Sequence, residues 1–182
     1  MKTRSKKTNS SARKTASATK PSAKTVRPKP LAKPAVKTIL VPTDFSPESR
    51  KAVRYAASLA RELGGKVSLL HVVEPVPYNV AIDEIPLLFT SDEMLKTSMN
   101  RLKTLVQEEG IPVNLVKKFN VRTGPAYPEI LDEAEASRAD MIVIATHGYN
   151  ALTRVIFGST TERVVRHAKC PVLVVRENVK KR

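Results

Sequence analysis

The run Met141-Ile142-Val143-Ile144 has no polar face, and no other feature of the chain narrows its folds so much. A strand apolar on both sides has to be covered on both sides, as in the centre of a parallel sheet flanked by helices. Short apolar runs recur at Lys37–Pro42, Val67–Val73 and Pro171–Val175, and a more mixed run at Val113–Val121 reads as an edge strand. Helical patterns lie between them. Ser46 is placed to cap a helix with Pro47 at its first position. Ala52, Val53, Ala56, Ala57, Leu59, Ala60 and Leu63 then recur at i, i+3, i+4 spacing, and Gly64-Gly65 ends the helix. Ser91 is placed to cap a second helix whose apolar side is Leu95, Met99, Leu102, Leu105 and Val106, stopped by Gly110 and Pro112. Further helices are predicted over Pro128–Ser137 and from Gly158-Ser159 to Ala168. Strand and helix in alternation predict an α/β fold, an open five-stranded parallel sheet with helices on both faces.

In such a sheet a ligand crevice lies outside the C-terminal ends of the strands where the strand order reverses. Asp44 follows the first strand and Ala145-Thr146-His147-Gly148 follow the fourth. After Gly148 come nine residues and then Gly158-Ser159-Thr160 at a helix start. Glycines admit a ligand close to the backbone, and a helix N-terminus offers N–H groups and a partial positive charge that suit phosphate. Ser159 and Thr160 add hydroxyls, while Ser159-Thr160-Thr161-Glu162 equally fits a capping box with Ser159 as a plain cap. Asp44 suits two ribose hydroxyls, or else the bracing of its own loop.

The run VIATHGYNALTRVIFGSTTERVVRHAKCPVLVV resembles the C-terminal half of universal stress protein domains, and KTILVPTDFSPES and SLLHVVEP resemble their first two strands. The likeness spans residues 37–176. ATP-binding members of that family carry Gly-x-x-Gly, nine residues, then Gly and Ser or Thr. Here Gly148, Gly158 and Ser159 match and Ala145 stands at the first glycine. The resemblance implies a Rossmann-like sheet of the adenine nucleotide alpha hydrolase kind, in order 3-2-1-4-5. It implies ATP, with or without Mg²⁺, held by its phosphates at Gly148, Gly158, Ser159 and Thr160. Asp44 would meet the ribose, the backbone around Val41, Pro42 and Val72 the adenine, and Ile144 the base or sugar. It also implies a homodimer through the last strand, Val172–Val175. ATP hydrolysis would be slow at most, since the sequence offers no Walker lysine and no general base poised for water.

Charge divides the chain. Residues 1–36 hold eleven of the 32 Lys/Arg and none of the 17 Asp/Glu, with few apolar side chains beyond alanine. They read as a disordered basic tail ahead of a nucleotide-binding domain at 37–178. The tail is a solubilising extension, an electrostatic arm for weak nucleic-acid binding, or a transit peptide. The single Cys170 excludes an internal disulfide framework. No apolar run approaches the length of a membrane span. A cytoplasmic protein with no metal-ligand spacing is expected. His71 reads as a core residue, His147 and Arg154 as loop residues within reach of phosphate, and His167 as a helix-end residue. The apolar loop Val76–Phe89 leaves a second expectation open, an interaction protein of the same fold that binds no nucleotide.

Overall fold

A computed structural model describes residues 35–74, 91–146 and 158–176 of the 182-residue chain. The strands are β1 (Thr38–Pro42), β2 (Lys66–Val73), β3 (Val116–Thr123), β4 (Met141–Ala145) and β5 (Val172–Val175). The helices are α1 (Pro47–Leu63), α2 (Ser91–Glu108), α3 (Ala126–Ala136) and α4 (Ser159–His167). The sheet is wholly parallel with order β3-β2-β1-β4-β5, as the α/β reading requires.

Each face of the sheet has its own apolar layer. Ile39, Val41, Val67, Leu69, Val143 and Ala145 pack under α1 and α2. Leu40, Leu70, Ile142 and Ile144 pack under α3 and α4. The alternation follows from the period-two geometry of a strand. Helix ends obey their local chemistry. The Ser46 hydroxyl accepts from the Ser49 amide, Pro47 occupies the first turn, and Gly64 closes α1 at φ 71°. Arg50 and Arg54 pair with Glu108 and Glu109 and tie α1 to the end of α2. No helix among the described residues is long and apolar enough to cross a membrane.

Two elements depart from the sequence reading. The segment expected to open the third strand is a 3-10 turn at Val113–Leu115, and β3 runs on to Thr123. The polar residues Asn120 and Arg122 disguised its end, because their apolar partners are replaced by carboxylates. Asn120 donates to Glu133 Oε1 at 2.7 Å, and Arg122 donates to Glu133 at 2.8 Å and Glu129 at 3.0 Å. Helix α3 starts at Ala126, two residues ahead of Pro128. A proline in the first turn gives up an N–H that has no intrahelical partner there. The N-cap is Pro125, and Glu74 accepts from the first helical amide, that of Ala126, at 2.8 Å.

The chain enters the sheet at the N-terminal end of β1. Val36, grouped with the tail by composition, is buried at 7% exposure. A Cβ on Gly65 would stand 2.4 Å from the Val36 carbonyl, so only glycine fits. Asp140 accepts from the amides of Lys37 and Thr38 at 2.8 and 2.9 Å, which fastens this entry to the start of β4.

Candidate functional site

Strands β1 and β4 are neighbours, with Ile39 opposite Met141 and Leu40 opposite Ile142. Continuing that register brings Pro42 level with Ile144 and Asp44 level with Thr146. From β1 the chain crosses to β2 on one side, and from β4 to β5 on the other. In open parallel sheets such a reversal is where ligand crevices lie, outside the C-terminal ends of the strands.

The β4 side is built by hydrogen bonds. Thr146 donates its amide to Val175 at 3.1 Å and accepts from the Gly158 amide at 2.8 Å. The buried Thr161 hydroxyl donates to the Ala145 carbonyl at 2.8 Å. These bonds latch the start of α4 onto the end of β4. The N-cap of α4 is Gly158, and Ser159 is the first helical residue, which corrects the reading of Ser159 as cap in a capping box. A glycine N-cap has no side chain to accept the first amides of its helix, and Thr161 spends its hydroxyl on Ala145.

Ala145 was the position where the motif departs from glycine. It is a regular β4 residue, paired with Val175. It is not among the described non-glycine residues with positive φ, which are Phe45 and Arg138. Its methyl group packs in the layer under α1 and α2. Alanine therefore costs no backbone strain here. Ala145→Gly is expected to destabilise the fold by about 1 kcal/mol, through lost packing and added chain entropy. Thermal melts of the variant check this.

The β1 side is a braced turn. The Thr43 amide donates to Leu70 at 2.8 Å, and its carbonyl accepts from His71 Nδ1 at 2.9 Å. Asp44 Oδ1 accepts from the Ser46 amide at 3.1 Å and the Ser46 hydroxyl at 2.6 Å. The bracing role expected as the alternative for Asp44 is therefore present. The Thr43 hydroxyl meets Ser49 Oγ at 2.9 Å and accepts from the Phe45 amide at 3.1 Å. Phe45 lies in the left-handed region at φ 65°. That conformation costs a residue with a Cβ about 1–2 kcal/mol. Burial of a phenylalanine side chain offsets it with roughly 1.5–3 kcal/mol, and Phe45 is 5% exposed.

His71 lies in the upper part of β2, its ring 4.5 Å from that of Phe45. A carbonyl only accepts, so Nδ1 carries the proton that Thr43 receives. Burial holds the imidazole pKa below its ordinary value. The Thr43 bond opposes this, the Arg101 cation adds to it, and Asp44 opposes it. An unfolded chain protonates its histidine near pH ~6.5, and folded His71 only below that. The stability gained from the neutral ring is thus complete above that pH and declines as pH falls toward 5. The melting temperature should fall from pH 7 to 5, and fall less in His71→Asn.

The sequence-predicted residues sit as follows. Val41, Pro42 and Asp44 are at the end of β1, Val72 near the end of β2, Ile144 and Ala145 at the end of β4, and Gly158, Ser159 and Thr160 at the start of α4. All occupy the C-terminal edge of the sheet. Val72 and Ile144 share the α3/α4 face, whereas Val41 packs on the other. Gly148, His147, Arg154 and the loop Val76–Phe89 lie outside the described residues. His167 closes α4, its Nδ1 2.8 Å from the Arg163 carbonyl. Cys170 is half-buried against the α3/α4 layer, and burial pushes its thiol pKa up. No group of three or more His, Cys, Asp or Glu side chains among the described residues is placed to hold a metal. Thr43, Ser49, Thr146 and Thr161 were missed. Their hydroxyls stand beside Asp44 and the glycine motif in sequence, which was the signal available.

Known proteins are similar to this chain in sequence and in fold. Universal stress protein G of Escherichia coli O157:H7 is 35% identical over 148 residues, covering 77% of this chain and 99% of that protein. Universal stress protein MJ0531 of Methanocaldococcus jannaschii is 32% identical over 145 residues, covering 78% and 82%. The solved structure of MJ0577, from the same organism, matches at TM-score 0.64 and 27% identity over 80% of this chain and 99% of that one. Two universal stress proteins solved with cAMP and with dAMP share the fold at 19% and 22% identity. The model of the universal stress protein family matches residues 35–176. With its parallel sheet in the order 3-2-1-4-5 and these relatives over the whole described body, the chain belongs to the universal stress protein family.

Proposed function

We propose that this chain is a cytoplasmic regulatory protein that binds ATP at the C-terminal ends of β1 and β4 and acts as a homodimer. One observation carries the reading: the Asp44 turn and the glycine-capped start of α4 face the same switch point. The amides of Ser159 and Thr160, at a helix start with no side-chain cap, suit phosphate charge, and the glycines at 148 and 158 would let it come close. Besides accepting the hydrogen bonds of Ser46, the Asp44 carboxylate suits two ribose hydroxyls. Backbone at Val41, Pro42 and Val72 would take the adenine, with Ile144 and Ala145 beside it. Adenine nucleotides in proteins of the same fold agree with this class of ligand. Mg²⁺, where present, would ride on the phosphates, since it keeps most of its water and takes few protein ligands. The role is one of binding, with hydrolysis slow.

Strand β5 is a sheet edge, and Val172, Leu173, Val174 and Val175 are each only half-buried. An apolar edge strand favours pairing with a second copy.

The test is to denature the purified protein and identify any released nucleotide by chromatography, before and after soaking with ATP and Mg²⁺. ATP or ADP supports the reading. No nucleotide in either case moves it to the interaction protein that works without one.

The eleven basic and no acidic residues of 1–36 favour a second, independent activity, weak nucleic-acid binding. Its affinity would fall steeply with salt, the log–log slope growing by about 0.9 per phosphate neutralised. Loss of this binding on removal of residues 1–34, with ATP uptake intact, would separate the two activities.

A further inference from the structure

We infer that Phe45 is the keystone of a clamp that fixes Asp44, and that Arg101 and His71 are positioning residues of the candidate nucleotide site. The inference rests on the reading of Asp44 as a ligand residue and adds to it the groups that act on Asp44 from outside.

Asp44 stands between two residues that other elements hold. On its N-terminal side Thr43 is tied to β2 twice, through its amide to Leu70 and through its carbonyl to His71. On its C-terminal side Phe45 is held by its ring. The Arg101 guanidinium lies over that ring, 4.0 Å from the centroid, and the His71 ring lies 4.5 Å from the same centroid. Arg50 Nε reaches the Phe45 carbonyl at 3.5 Å. The positive φ of Phe45 is the bend by which the chain turns from β1 into α1.

Glycine would take that bend at no steric cost. A phenylalanine takes it only where its surroundings hold it there, and such strain gathers at functional sites. Here the surroundings are directional: a cation on an aromatic face, and an imidazole that hydrogen-bonds the neighbouring carbonyl. Through Arg101, helix α2, which supplies none of the predicted ligand residues, reaches the turn that orients Asp44. A change in the position of α2 is thereby felt at the ribose end of the site.

The test measures ATP affinity by calorimetry in the full chain. Phe45→Gly keeps the bend and removes the ring, and about tenfold weaker binding is expected. Arg101→Ala should weaken binding about fivefold, and Arg101→Lys, which keeps a cation over the ring, should restore most of it. His71→Ala should behave like Arg101→Ala, and His71→Asn, whose amide can donate to Thr43, should recover. A ring with only a packing role would leave Asp44→Ala with the same fold-loss in both backgrounds. The clamp predicts that Asp44→Ala costs several-fold less in the Phe45→Gly background than alone. Equal binding by Phe45→Gly, Arg101→Ala and wild type, or full additivity with Asp44→Ala, overturns the clamp. If the wild type takes up no ATP, the site reading fails, and amide hydrogen exchange then judges the clamp by itself. Exchange at Phe45 and Ser46 should quicken about tenfold in Arg101→Ala and return in Arg101→Lys. Unchanged exchange overturns the clamp whatever the ligand.

Discussion

Asp44→Ala is expected to lower ATP affinity about a hundredfold. A hydrogen bond to a charged group contributes about 1.5–3 kcal/mol, a ribose offers Asp44 two hydroxyls, and each 1.4 kcal/mol is a factor of about ten. The same substitution removes the acceptor of the Ser46 amide and hydroxyl. Some loss of stability should accompany it, about 1–2 kcal/mol. Asp44→Asn separates the two effects. Its amide oxygen still accepts from Ser46, so the turn survives while the negative charge is gone. A variant that melts like the wild type and binds at least tenfold more weakly assigns the loss to the ligand. Wild-type affinity in both variants leaves Asp44 as a loop brace alone.

The largest effect on stability is expected at Glu133. This carboxylate is buried at 5% exposure on the inner side of α3. It accepts from Asn120 on one oxygen and Arg122 on the other. Glu133→Ala leaves the Asn120 amide, itself 7% exposed, without its acceptor. It also strands part of the charge of Arg122. Breaking a buried pair by removing one partner costs about 3 kcal/mol or more. For a domain of this size that lowers the melting temperature by roughly 10 °C. Arg122 also bonds Glu129 and is 29% exposed, so the loss should sit at the low end of that range. Glu133→Gln keeps an acceptor for Asn120 and should lose about half as much. A drop of less than 2 °C in Glu133→Ala would show that water replaces the network.

Most of the fold was legible because hydrophobic periodicity is a property of residue type. Ile142 and Val143 demanded cover on both faces, and they have it. Ser46, Pro47 and Gly64 act through their own side chains or the lack of one, and their roles were readable one residue at a time. The errors fell where an element depends on a partner far along the chain. Asn120 and Arg122 look unlike a strand until Glu133 and Glu129 stand opposite. Ser159 looks like a cap until Gly158 is tied to Thr146 and becomes the cap itself. The left-handed Phe45 had no signal, because sequence associates that conformation with Gly, Asn and Asp. What holds it comes from Arg101 and His71, neither of which lies near it in the chain.

The parallel sheet has a mechanical consequence. The chain enters at the N-terminal end of β1, at the middle of the sheet, and leaves the described body at the C-terminal end of β5, at its edge. All strands point the same way, so these two points lie at opposite poles of the strand axis. Tension between the segment before residue 35 and the segment after residue 176 runs along the strands. The hydrogen bonds on both flanks of β1 are then loaded side by side, as rivets in a lap joint, instead of being peeled one at a time.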